Sequence, residues 1–140
     1  MNPFFSILSL AYIAGIFLFA DSPVVSDLAA FNPYSLLHIP LYGILTFLLI
    51  LSFSPFKFRV INSGSPTNST NLLLLGLIAL GVAVADEIHQ AYIPTRNASI
   101  TDVLLDIIGI LFFIFLFRRV QSIRWFLKKV EFLCQRTLKR

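Results

Sequence analysis

A chain of 140 residues suits one domain, but 57% of it is hydrophobic and only 13% charged, with a mean hydropathy of +0.84. Such a balance excludes an ordinary soluble globular domain and points to an integral membrane protein. The formal net charge of +4 belongs, by its placement along the chain, to one face of a membrane and not to a nucleic-acid groove.

The first apolar segment, Pro3–Ala20, is expected to be an uncleaved anchor. No Lys or Arg precedes it, and Leu18 stands where a signal peptidase cutting after Ala20 needs a small residue. Asp21 to Pro33 follows, a loop with Pro23, Asp27 and Pro33 that is expected to fold over the membrane surface. A second apolar segment covers Tyr34–Phe53, and the polar run from Asn62 to Thr70 is a connector rich in turn formers. The third and fourth segments are Asn71–His89 and Ile100–Phe117. Each of the four is near the ~20 residues that a helix needs to cross the hydrocarbon core. Backbone polar groups cannot face lipid unpaired, and no stretch alternates as a barrel strand would.

After Phe117, apolar residues Val120, Ile123, Leu127, Val130 and Cys134 recur at three- and four-residue spacing, with Arg124, Lys128 and Lys129 on other faces. This is the pattern of an amphipathic interfacial helix whose cations meet anionic headgroups. The expected fold class is therefore all-α, a four-helix transmembrane bundle over 1–117 with a basic amphipathic C-terminal helix over 118–140. The lone cysteine, Cys134, excludes an internal disulfide and any Cys-based metal cage in one chain.

Basic residues fix the expected orientation. Lys57 and Arg59 lie between segments two and three; Arg118, Arg119, Arg124, Lys128, Lys129, Arg136, Lys139 and Arg140 follow segment four; Arg96 alone lies elsewhere. The positive-inside rule then places both termini in the cytoplasm. In that topology His38 and Tyr42, then Asp86, Glu87, His89 and Gln90, and finally Asp102 and Asp106 all reach the outer leaflet, with Arg96 in the short loop between segments three and four. Asp106 lies one turn, roughly 6 Å, deeper than Asp102. Four of the acidic residues thus gather where ionisable groups are costly, roughly 2.5–3.5 kcal/mol each at a helix centre. The pairs His38/Tyr42, Asp86/Gln90 and Asp102/Asp106 each share a helix face. The inner halves of the segments hold no ionisable residue, which argues against ion conduction.

The pattern Asp86-Glu87-x-x-Gln90-x-x-x-Pro94-x-Arg96-x-x-Ser99-x-x-Asp102, followed by Gly109 and preceded by His38-x-x-x-Tyr42, resembles the VanZ-like family. The resemblance runs from about Tyr34 to Phe117. It implies a small multi-span membrane protein, and the founding member of the family is associated with low-level teicoplanin resistance. The chain departs from the family pattern at Thr95 in place of Gly, at Asp106 where many members have Asn, and at Ser35 where a Lys is frequent. These changes make the site more acidic than the usual one.

Three functions are consistent with this reading. In the first, the polar cluster binds the headgroup of a lipid-linked precursor or a lipidated antibiotic and contributes to glycopeptide resistance. Arg96 would be the phosphate or carboxylate ligand, held by Asp102 or Asp86, and Tyr42, Gln90 and Ser99 would donate to sugar or phosphate oxygens. His38, Glu87 and Asp106 complete the expected binding set. In the second, the protein is a lipid hydrolase or phosphatase with His38 or His89 as general base, oriented by Asp86, Glu87 or Asp102. In the third, the polar groups only lock three helices together. A metal version would use His38, His89, Asp86 and Asp106, but no His-Glu-x-x-His or comparable spacing occurs, so neither a metal nor a cofactor is expected. Membrane lipids, among them a phosphate-bearing envelope lipid, are the expected partners, with no nucleic acid; the sequence leaves the oligomeric state open.

Overall fold

The computed structural model describes residues 2–22, 36–53, 69–94, 96 and 98–137, with side chains of the last helix described through 123. Four helices and no strand occur among them: α1 Pro3–Phe19, α2 His38–Phe53, α3 Ser69–Gln90 and α4 Ile100–Thr137. Residues 23–35, which hold most of the loop expected to fold over the surface together with Ser35, residues 54–68, which hold Lys57, Arg59 and most of the second connector, Thr95, Asn97, and the side chains of the amphipathic pattern beyond Ile123 lie outside the described residues or side chains.

Each helix begins where the local chemistry allows. Asn2 caps α1 by accepting the Phe4 N–H at 3.2 Å, and Pro3 takes the first helical position, where a missing N–H costs nothing. Pro40 sits in the first turn of α2 for the same reason. The Ser99 hydroxyl accepts the Thr101 N–H at 3.1 Å and caps α4, with Asp102 in the first turn facing the positive end of the helix dipole. Between α3 and α4 the chain turns tightly: Tyr92 and Ile93 donate to the carbonyls of His89 and Gln90, both at 3.0 Å.

α2 is the central helix and packs on all three others, most extensively on α4. It runs antiparallel to α1, since the Asn2 N–H donates to Ser52 O at 2.8 Å while Tyr12 Oη donates to Leu41 O at 3.2 Å. The hydroxyls of Ser9 and Ser52 share a further contact of 3.0 Å. Against α4 it runs parallel and very close. A Cβ on Gly109 would collide with the Ile39 carbonyl, and one on Gly43 with the Phe113 ring. Small residues at such crossings let two backbones approach where apolar burial offers little driving force in lipid. Leu45, Leu49, Ile50, Leu72, Leu75, Ala79, Ala83 and Ile110 fill the interior on the side away from the polar cluster.

The outward faces are apolar: Leu10, Leu18, Leu73, Ile100 and Phe115 are all more than 60% exposed. The stretches Asn71–Gln90 of α3 and Ile100–Ile123 of α4 are long and apolar enough to cross a membrane, and only 39% and 22% of their most apolar windows are buried. The core helix of a soluble domain would be mostly covered, so these faces are consistent with a membrane protein. α1 and α2 are apolar but shorter, at 17 and 16 residues. α4 differs from the sequence expectation in one respect: it continues unbroken past Phe117 to Thr137, so the basic segment prolongs the fourth helix. At 38 residues it is about 57 Å long, nearly twice the hydrocarbon thickness.

Candidate functional site

The end of α1, the start of α2, the end of α3 and the start of α4 meet at one end of the bundle. Here α2, α3 and α4 bury a polar cluster. Tyr42 and Asp106 are fully buried, and Asp86, Glu87, Gln90 and Asp102 are 2%, 6%, 5% and 8% exposed.

One half of the cluster is built on Asp86. Its Oδ2 accepts the Tyr42 hydroxyl at 3.0 Å from α2 and the Gln90 amide at 2.9 Å from one turn further along α3. The other half is built on His38. Its Nδ1 lies 3.0 Å from Asp106 Oδ1, and its Nε2 lies 3.8 Å from Asp102 Oδ2. The His38 ring also stacks on Tyr42, with centroids 6.3 Å apart, which joins the halves. Glu87 Oε2 accepts the Ser99 N–H at 2.8 Å, pinning the end of α3 to the start of α4. Among the described residues, Asp86 Oδ1, Glu87 Oε1 and Asp106 Oδ2 are buried without a hydrogen-bond partner.

Three expected participants take other positions. Arg96 does not pair with Asp86 or Asp102; its Nε donates to Ala20 O at 3.3 Å, at the end of α1. Ser99 contributes its backbone N–H to Glu87, and its hydroxyl caps α4 instead of facing a ligand. His89 turns to α1, with its ring 5.5 Å from that of Phe17, and its Nδ1 has no hydrogen-bond partner among the described residues. The contributions of Ala20 and Phe17 from α1 were not foreseen, and no motif in that helix signals them.

Between α3 and α4 a shallow, widely open cavity of about 240 Å³ lies beside the cluster, lined by Val84, Ile88, Ile100 and Val103 with Glu87 and Ser99 as its polar part. Chemically, the arrangement offers an imidazole gripped by one carboxylate and directed toward a second, a third carboxylate with a free oxygen, and an arginine nearby.

No curated protein and no solved structure matches the chain at a significant level. The family model described as VanZ/LLP1 matches residues 4–124, and so takes in α1 as well as the segment that carries the motif. A match over most of the chain, together with a motif whose residues line one buried cluster, makes this protein a member of the VanZ/LLP1 family.

Proposed function

We propose that the protein is a four-span envelope protein of the bacterial cytoplasmic membrane, with both termini in the cytoplasm, that binds the headgroup of a phosphate-bearing envelope lipid or lipidated molecule at the outer leaflet and so contributes to glycopeptide resistance of the teicoplanin type. The observation that supports this reading is the convergence of polar side chains from three helices beside a lateral cavity with apolar walls and a polar end at Glu87 and Ser99. A lipid presents the same two chemistries, an acyl part and a polar head. Arg96 is the anion ligand in this reading. Its Nε is occupied by Ala20, and among the described residues its terminal guanidinium nitrogens have no acceptor, so they can address a phosphate. The acidity of the interior confines that phosphate to the Arg96 side.

Native mass spectrometry of the protein released from its own membrane tests the reading. A phospholipid or polyprenyl-phosphate species should accompany the wild type and be lost from Arg96→Ala at equal protein level. The same lipids on both proteins would remove the headgroup site. Teicoplanin susceptibility of cells with and without the gene tests the resistance part separately.

A second reading, a lipid hydrolase or phosphatase, is favoured by one observation: the contact of His38 with Asp106 orients the imidazole as a general base requires. Phosphate release from a polyprenyl diphosphate by purified protein, lost in His38→Gln, would select it.

A further inference from the structure

We propose that His38, Glu87 and Asp102 form a binding site for one divalent first-row cation, Zn²⁺ or Mn²⁺. One ligand atom from each of these residues lies within 4.8 Å of the other two. The site differs from the set that sequence spacing suggests, because His89 faces Phe17 and Asp86 is held by Tyr42 and Gln90.

The orientation of His38 is the first argument. With Asp106 ionised, its carboxylate only accepts, so the 3.0 Å contact then has Nδ1–H as the donor and leaves the lone pair on Nε2. Nε2 then presents its lone pair toward Asp102 Oδ2 at 3.8 Å. That gap is too long for a hydrogen bond. It is close to the spacing of two ligands on one ion, since metal–ligand bonds of about 2.0–2.2 Å separate their ends by about 3.4 Å at a tetrahedral angle. Asp106 behind the imidazole is the outer carboxylate that metal-bound histidines use to fix tautomer and basicity.

Glu87 supplies the second argument. It is 94% buried, as its exposure of 6% means, and while Oε2 accepts the Ser99 N–H, Oε1 has no partner among the described residues. A buried carboxylate oxygen without a donor is costly, and a cation satisfies it. Charge balance points the same way. Asp86, Glu87, Asp102 and Asp106 are all buried, Arg96 donates to Ala20, and among the described residues the ion pairs of the cluster are those of one imidazole. One imidazole with two carboxylates is a donor set for Zn²⁺ or Mn²⁺. Glu87 also lines the cavity between α3 and α4, so an ion beside it would be reachable from there. The cation site does not depend on the headgroup reading, because it is measured on delipidated protein.

The experiment uses full-length protein without a histidine tag, stripped with EDTA in detergent, equilibrated with micromolar ZnCl₂ or MnCl₂ and freed of unbound ion. Elemental analysis should find about one equivalent per chain. Glu87→Gln and Asp102→Asn should weaken binding by at least about 100-fold, and Asp106→Asn by about 10–100-fold as an outer-shell change. His89→Gln should leave the metal content as it is. Retention of less than a tenth of an equivalent by the wild type, or equal retention by Glu87→Gln and Asp102→Asn, overturns the proposal. If those variants unfold, the wild type still decides: its melting temperature should fall on EDTA treatment and recover with ZnCl₂ or MnCl₂ but not MgCl₂, and an unchanged melting temperature refutes the site.

Discussion

His38 and Asp106 are 68 positions apart in the chain and meet through Nδ1 and Oδ1 at 3.0 Å, on helices that approach so closely that Gly109 lies against the Ile39 carbonyl. Packing and polar chemistry are coupled at this crossing. The small residue admits the backbone of α2, and that approach brings the imidazole to the acid.

The two partners should not contribute equally to stability. Polar contacts between membrane helices average only about 0.6 kcal/mol, but removing one partner of a buried charge pair costs about 3–5 kcal/mol. Asp106→Asn keeps an acceptor for the Nδ1 proton and should cost about 1 kcal/mol. His38→Ala takes the partner from Oδ1 of a fully buried Asp106 whose Oδ2 has none among the described residues, and should cost about 3 kcal/mol by the same comparison. Equilibrium unfolding in mixed micelles gives the ranking, and equal losses would identify the contact as a neutral hydrogen bond.

Tyr42→Phe removes one of the two donors to Asp86 Oδ2 without opening a cavity, and Gln90 remains. A loss of about 1 kcal/mol is expected. In a double-mutant cycle with Asp86→Asn, the two changes should be coupled by at least about 0.5 kcal/mol because they share one hydrogen bond. Additive losses would mean that the hydroxyl is satisfied elsewhere.

Three glycines should respond in a fixed order. At Gly109 an added Cβ meets backbone, which has no room to yield; at Gly43 it meets the Phe113 ring, which can turn; at Gly81 nothing lies within 4 Å. Gly109→Ala should therefore cost about 3 kcal/mol and Gly43→Ala about 1 kcal/mol, whereas Gly81→Ala should gain up to about 1 kcal/mol from helix propensity. Loss of the His38–Asp106 contact should accompany only the first, read as a changed His38 imidazole NMR signal. If Gly109→Ala is as stable as the wild type, α2 and α4 are not in backbone contact.

Much of this arrangement is legible in the sequence because helical spacing assigns faces. Asp86 with Gln90, and Asp102 with Asp106, stand on common faces, and the apolar segments delimit α1, α2, α3 and the start of α4 to within a few residues. Which face meets which is not legible. Spacing suggests Asp86 or Asp102 as the partner of Arg96, but the end of α1 takes that nitrogen, and nothing in the apolar run of α1 announces the Ala20 carbonyl as an acceptor. Ser99 has the same ambiguity, since one serine can serve a ligand or cap a helix, and only the register of α4 decides for the cap. The continuity of α4 to Thr137 is hidden for a related reason: the change from an all-round apolar pattern to an amphipathic one marks a change of surroundings, not a break in the backbone.

The number of spans and their direction can be read from the chain's own chemistry. Cys134 is the single cysteine, and it lies on the part of α4 beyond the apolar stretch that ends at Ile123. About 11 residues of helix, some 16 Å, separate the two positions, so Cys134 should stand clear of the hydrocarbon core. With ten basic residues assigned to one side, the positive-inside rule predicts that side to be the cytoplasm. A membrane-impermeant maleimide should then leave Cys134 unlabelled in intact cells and label it in inverted vesicles. In a Cys134→Ser background, a cysteine placed by Ala98→Cys, between α3 and α4, should show the reverse. α1 and α2 decide between two spans and four: at 17 residues, α1 is about 26 Å long, slightly short of the ~30 Å core, a mismatch that local thinning of the bilayer absorbs at small cost. Four spans therefore require a cysteine placed by Asn2→Cys to label from the same side as Cys134 and one placed by Ser22→Cys from the opposite side. If Asn2→Cys and Ser22→Cys label from one side only, α1 lies on the membrane surface, and the bundle crosses with α3 and α4 alone or with an odd number of helices.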